Sequence, residues 1–136
     1  MNASKIQVGQ EIPPFSRITG FDVWNRFAAV NYEFVPIHMD DEAGKLAGHP
    51  GAIGMGRLQW SYMHNALEQW LGENGRVVRV AAQFRSPNLK GMALTARGKV
   101  TAVRQENNET LIDLDVWVEA DDGKVLAPGT ATVAVG

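Results

Sequence analysis

The segment Met55 to Leu71, MGRLQWSYMHNALEQWL, constrains this chain more than any other. At roughly 100° per residue its polar residues Arg57, Ser61, Asn65 and Glu68 fall on one narrow stripe. Met55, Leu58, Trp60, Tyr62, Met63, Ala66, Leu67, Trp70 and Leu71 take up nearly all the remaining surface. An ordinary surface helix buries an arc of about 100°. A wider apolar arc needs neighbours on several sides at once, as though a sheet were wrapped around the helix. Gly72 and Gly75 end it.

The rest of the chain supplies such a sheet. RVVRVAAQFR alternates, with Val78, Val80, Ala82 and Phe84 on one side and Arg79, Gln83 and Arg85 on the other. ALTARGKVTAV sets Leu94, Ala96, Val100 and Ala102 against Thr95, Arg97, Lys99 and Thr101. TLIDLDVWVE sets Ile112, Leu114, Val116 and Val118 against Asp113, Asp115 and Glu119. KVLAPGTATVAV closes the chain, with a bend or bulge expected at Pro128-Gly129. Asn107-Asn108 and Asp121-Asp122-Gly123 are turn signals, so the last three strands should form an antiparallel meander. A further strand is expected near Glu11–Thr19. DVWNRFAAV, Asp22 to Val30, has helical spacing with Thr19 or Asp22 available as a cap, Pro36 should stop any helix there and force Val35 to be extended, and Asp40–Ala47 fits one or two turns. The expected fold class is α+β: a long central helix wrapped by a curved antiparallel sheet of about five strands, the hot-dog arrangement. One domain should span residues 1–136. A single layer of this kind leaves a sheet edge and one side of the helix uncovered, so a dimer is expected.

Composition narrows the function. The net charge of −2 comes with no basic block, which argues against nucleic acid. There is no cysteine, hence no disulfide framework and no thiolate metal site. No apolar run approaches the ~20 residues that span a bilayer, and the opening MNASKIQVGQEIPP lacks the apolar core of a signal peptide. A cytoplasmic protein is the expectation.

The chemistry concentrates between the two helices, in YEFVPIHMDDEAGKLAGHPGAIGMG, Tyr32 to Gly56. His38 is the one side chain there whose ordinary pKa lies near neutrality, the natural proton carrier. Glu33, five residues earlier across Pro36, can reach the same space, and a carboxylate and an imidazole facing one water can hold and deprotonate it. Gly54 and Gly56 leave backbone N–H groups unobstructed at a helix N-terminus, where partial positive charge favours a developing oxyanion. By spacing alone His38 also fits a helix-entry or surface residue and Glu33 a solvated one. Asp40, Asp41 and Glu42 fit the first turn of a short helix. A metal site at His38 and Asp40 lacks further ligands. His49 and His64 suit packing better than catalysis.

The same stretch resembles the MaoC-like dehydratases, the (R)-specific enoyl-CoA hydratase group, whose motif runs roughly Asp-x-Asn-Pro-Ile-His-x-Asp. EFVPIHMD sets Glu33 at the family's catalytic Asp, keeps Pro36 and Ile37, and sets His38 at the catalytic His. AGHPGAIGMG is similar to the family's glycine-rich run and puts Gly56 at the oxyanion glycine. FRSPNLKGMAL and GTATV resemble later strand segments, so the likeness covers about Thr19 to Val135. It implies a hot-dog fold, no metal or organic cofactor, an acyl-CoA thioester substrate, and reversible syn addition of water to a trans-2-enoyl double bond. Glu33 and His38 would activate the water, and the Gly56 N–H would stabilise the enolate-like oxygen.

The chain departs from the motif at four positions. Glu33 for Asp adds one methylene and moves the carboxylate by about 1.5 Å. Val35 stands for the Asn, Met55 for a second His, and Met92 for an Asp. These changes motivate an alternative, a non-catalytic or half-catalytic hot-dog subunit that binds acyl-CoA and supports a partner in a heteromeric hydratase. A thioesterase using Glu68 ranks below both, since that acid lies far from Gly54–Gly56. Arg57, Arg85 and Lys90 suit CoA phosphates electrostatically and equally fit ordinary surface charges. Phe21–Phe34 is rich in aromatics that could cover an acyl pocket.

Overall fold

The computed structural model describes residues 2–136. Its strands are β1 (Phe15–Ile18), β2 (Gly75–Ala82), β3 (Ala93–Glu106), β4 (Glu109–Ala120) and β5 (Val125–Val135). Its α-helices are α1 (Phe21–Asn31), α2 (Pro36–Met39), α3 (Asp41–Leu46) and α4 (Gly56–Leu71). The strands make one antiparallel sheet in the order β1-β3-β4-β5-β2. Asn107 and Asn108, both at positive φ (51° and 66°), close the β3–β4 hairpin, the backbone that a two-residue turn needs to match strand twist.

The sheet curls around α4. Leu94, Ala96 and Val100 of β3, Ile112, Leu114, Val116 and Val118 of β4, and Ala127, Ala131 and Val133 of β5 are all buried against it. From α4 they meet Leu58, Tyr62, Met63, Ala66, Leu67 and Leu71. Only Arg57, Glu68 and Gln69 of that helix are well exposed, so the wide apolar arc is accounted for. The architecture is the expected hot-dog. None of its helices is long and apolar enough to cross a membrane, among the described residues.

Four local expectations are corrected. Helix α1 begins at Gly20 with no side-chain cap; Thr19 instead turns its hydroxyl to the Leu89 carbonyl at 2.9 Å and is buried, tying the helix start to the β2–β3 connection. Pro36 starts a helix rather than stopping one. Tyr32, at φ 55°, has already ended α1, and Pro36 takes the first position of α2, where its missing N–H costs nothing; Val35 is extended, as expected. In β2 the register against β5 shifts between Val77 and Arg79. The extra residue reverses the parity of the strand, so Val77, Val80 and Ala82 pack on the core and Val78 is 51% exposed. Phe84 lies beyond the strand and is also 51% exposed. Finally, Pro128-Gly129 stays in register with Trp117 and Val116, and the bulge falls at Leu126, between Val125 and Ala127. The Pro128 carbonyl points past the end of β2 to accept from the Gln83 N–H at 2.9 Å. An antiparallel residue turns its N–H and carbonyl to the same neighbour, so β4 never needed a donor from Pro128.

Candidate active site

His38 owes its position to a short chain of forced steps. Pro36 holds Val35 extended, α2 then turns once, and the His38 N–H returns to the Val35 carbonyl at 3.0 Å. The segment before α4 is stitched alongside: the Ile53 N–H donates to the Ile37 carbonyl at 2.9 Å. In return the Ile53 carbonyl accepts from His38 Nδ1–H at 2.7 Å. A carbonyl can only accept, so the proton of the neutral ring sits on Nδ1 and the lone pair on Nε2. The imidazole is 8% exposed and reaches a cavity of about 230 Å³.

Met55 and Gly56 are set by a second clamp, built on Asn88. This side chain is fully buried. Its Oδ1 accepts from Trp24 Nε1–H at 2.9 Å, and its Nδ2–H donates to the Met55 carbonyl at 3.2 Å. Its backbone carbonyl accepts from the Gly54 N–H at 2.8 Å. A Cβ on Gly54 would lie 1.7 Å from Asn88 Oδ1, so only glycine permits the clamp. The expectation that Gly54 offers a free N–H is therefore corrected: Asn88 takes it. Gly56 is the first residue of α4, where helix geometry leaves the N–H with no intrahelical acceptor, and the helix dipole adds partial positive charge there. A Cβ at Gly56 would meet the Phe84 ring at 2.7 Å.

The cavity is lined by His38, His49, Ile53, Gly54, Gly56 and Gln59 on one side and by Phe84, Arg85, Ser86 and Pro87 on the other. It joins an imidazole with a free lone pair to an amide N–H at a helix start, under a half-exposed aromatic ring. That combination can move a proton and polarise a carbonyl.

Of the candidate site residues singled out in the sequence, His38, Gly54, Gly56 and Arg85 line this cavity. Glu33 does not. It follows the left-handed Tyr32 at the end of α1, and its Oε2 is buried without a hydrogen-bond partner among the described residues. Arg57 is exposed on α4. Arg85 is exposed at the cavity rim, its guanidinium held by Gln83 Oε1 at 3.0 Å. Lys90 turns to Asp41 at 2.7 Å and lies over the Phe21 ring at 4.5 Å, bordering a separate hollow with Asp41 and Pro50. The Lys90 ammonium and the Ala52 N–H hold the Asp41 carboxyl below its usual range. Glu68 is exposed and outside the cavity. His64 packs edge-on to Trp60 at 4.6 Å. Among the described residues no three His, Asp or Glu side chains gather as a metal site.

Two residues escaped the sequence reading. Gln59 carried a signal: it lies about 200° round the helix from Arg57, a polar residue on the apolar side. Asn88 acts through a turn after β2, where no periodicity could reveal it. His49, expected to pack, instead borders the cavity from its loop.

A family model described as MaoC like domain matches residues 9–121. The probable dehydratase NIT22 of Ajellomyces capsulatus is 34% identical over 113 residues, covering 75% of this chain and 29% of that protein; the chain thus spans under a third of the length of that relative. The (R)-specific enoyl-CoA hydratase of Aeromonas caviae is 27% identical over 134 residues, covering 98% of each. A solved (R)-hydratase of Aeromonas caviae involved in PHA biosynthesis superposes with a TM-score of 0.87 at 26% identity, covering 97% of this chain and 98% of that one. A chain of the ChsH1-ChsH2 complex of Mycobacterium tuberculosis, 17% identical, shares the fold with a TM-score of 0.84 over 96% and 98% of the two chains.

Proposed function

The chain belongs to the MaoC-like domain family, and from that premise we propose that it is an enoyl-CoA hydratase, adding water reversibly to a trans-2-enoyl thioester. The observation that carries this reading is the His38 Nδ1–H bond to Ile53, which leaves an imidazole lone pair in the cavity that Gly56 also borders. In the hydration direction His38 Nε2 takes one proton from water as the oxygen bonds to C3. The C2–C3 π electrons move toward the thioester, whose oxygen is held by the Gly56 N–H and the α4 dipole. The His38 imidazolium then gives that proton to C2, and the thioester carbonyl re-forms. Glu33 is the carboxylate assigned to hold and orient the water with His38. Its orphaned buried oxygen supports a role that appears only with substrate, since buried polar atoms ordinarily have partners. Arg85 at the rim and Arg57 on α4 are the residues proposed to meet CoA phosphates; Lys90, matched by Asp41, is the weakest of the three.

Residues 1–136 are read as one catalytic domain working in the cytoplasm, paired through a sheet edge with a second copy or a second hot-dog subunit. A specific observation favours the heteromeric form as a second reading: Glu33 lies outside the cavity that His38 lines, so a partner could complete the site. Hydration of crotonyl-CoA by the purified chain, compared with H38A and E33Q, is the test. H38A should lose about 10²–10⁴-fold in kcat. Equal activity in H38A and the parent overturns the assignment. An inactive parent rescued by a second hot-dog subunit selects the heteromer.

A further inference from the structure

Gln59 is a fully buried polar side chain of the cavity that this reaction scheme leaves unused. It is 0% exposed, sits one turn beyond Gly56 on α4, and borders the cavity together with His38 and Gly56. Its Nε2–H donates to the Ser86 carbonyl at 3.3 Å, which fixes the amide's orientation, because a carbonyl has no proton to give. Oε1 is therefore turned away from Ser86, buried, and without a donor among the described residues. A buried acceptor with no donor is costly, and Leu or Met at this place would pack without that cost. The orphaned atom points to a donor that comes and goes.

We infer that Gln59 Oε1 accepts a hydrogen bond from the oxygen added at C3, first in the attacking water and then in the 3-hydroxyl of the product. The inference rests on the hydration reading of this cavity. Water loses one proton to His38 while its oxygen bonds to C3; the other proton stays on that oxygen, where a buried acceptor can hold it. An amide oxygen supplies one without competing with His38 as a base. Holding that proton aims one of the oxygen's lone pairs at C3. The pantetheine amides are a poorer match, because Gln59 is wholly buried and the CoA arm must leave past the exposed rim at Phe84 and Arg85.

The test measures binding by calorimetry in the H38A background, where turnover of bound ligand is slowed by about 10²–10⁴-fold. (R)-3-hydroxybutyryl-CoA and butyryl-CoA, which lacks the hydroxyl, are the two probes. H38A should bind the hydroxylated thioester about tenfold more tightly. H38A/Q59M should bind the two equally, with butyryl-CoA affinity within about twofold of H38A. In the otherwise native chain, Q59M should lower kcat for crotonyl-CoA hydration about tenfold and leave KM nearly unchanged, since crotonyl-CoA carries no hydroxyl. A hydroxyl preference that survives Q59M overturns the inference, and so does an equal loss of affinity for both thioesters. Should the Met variant not fold, Q59N, which withdraws the acceptor, is held to the same outcomes. H38A with no hydroxyl preference at all overturns it without any Gln59 variant. Failure of the hydration reading itself shows separately, as absent crotonyl-CoA activity in the parent or activity indifferent to H38A.

Discussion

Replacing Gly56 by Ala adds one methyl group at the junction of the cavity and α4, and two effects of opposite sign compete there. Alanine favours helix over glycine by about 0.5–1 kcal/mol in an interior position, and by less at the first residue of a helix. Against that, the new Cβ would stand 2.7 Å from both Cγ and Cδ2 of Phe84 and 3.2 Å from its Cβ. Spinning the ring cannot relieve the contact, because Cγ lies on the axis of that rotation. Phe84 must swing about its first side-chain bond, or the segment from Gln83 to Arg85 must retreat. Overpacking of this kind costs about 1–3 kcal/mol, so a net destabilisation of about 1–2 kcal/mol is expected. The chemical loss should be larger, since displacing a reacting group by about 1 Å can cost on the order of 10²-fold in rate. Thermal melting and crotonyl-CoA kinetics on G56A measure the two effects. The double variant G56A/F84A removes the obstructing ring, and stability should then recover relative to the sum of the single changes by about 1 kcal/mol. G56A with wild-type kcat, or additive single and double variants, would refute the account of Gly56 as a residue kept bare by Phe84.

Two further outcomes test the frame around the site. W24F keeps the bulk of the side chain but strips Asn88 Oδ1 of its buried donor, so denaturant unfolding should show a loss of about 1–3 kcal/mol, with kcat reduced as Met55 and Gly56 loosen. Stability should also decline in acid along a route set by the outer face of the sheet. The Arg104 guanidinium, and secondarily the Thr132 hydroxyl, hold the Asp113 carboxyl below its ordinary 3.8, and Arg76 holds Glu109 below 4.5. Depressed folded-state values mean stability that is fully present above the ordinary values and is lost as pH falls through the folded ones. The melting temperature should be flat above about pH 5 and fall below pH 4. D113N should flatten that limb, and because these groups are partly exposed, 1 M salt should shrink the difference.

Much of this protein was legible along the chain. The apolar arc of α4, the alternation in β3 and β4, and the Asn107-Asn108 turn each reflect a local preference that repeats with a fixed period, and together they leave few ways to fold. His38 and Gly56 were visible too, because a proline before a single imidazole and a glycine before a buried helix restrict the backbone wherever they occur. What periodicity cannot carry is a change of register. The bulge between Val77 and Arg79 put Val77 on the core side and Val78 outside, ahead of Val80 and Ala82, and nothing in the alternation of RVVRVAAQFR announces it. Nor can one segment declare the partner it will find far along the chain. Asn88 claims the Gly54 N–H across 34 residues of sequence, Ile53 fixes the His38 tautomer, and Ser86 orients Gln59. Those bonds exist only because the sheet closes around α4 and brings the Ser86–Asn88 turn against the start of that helix. The sequence alone therefore determined which groups could do chemistry; the tertiary closure decided which of them meet, which are already engaged, and which acceptor is left waiting.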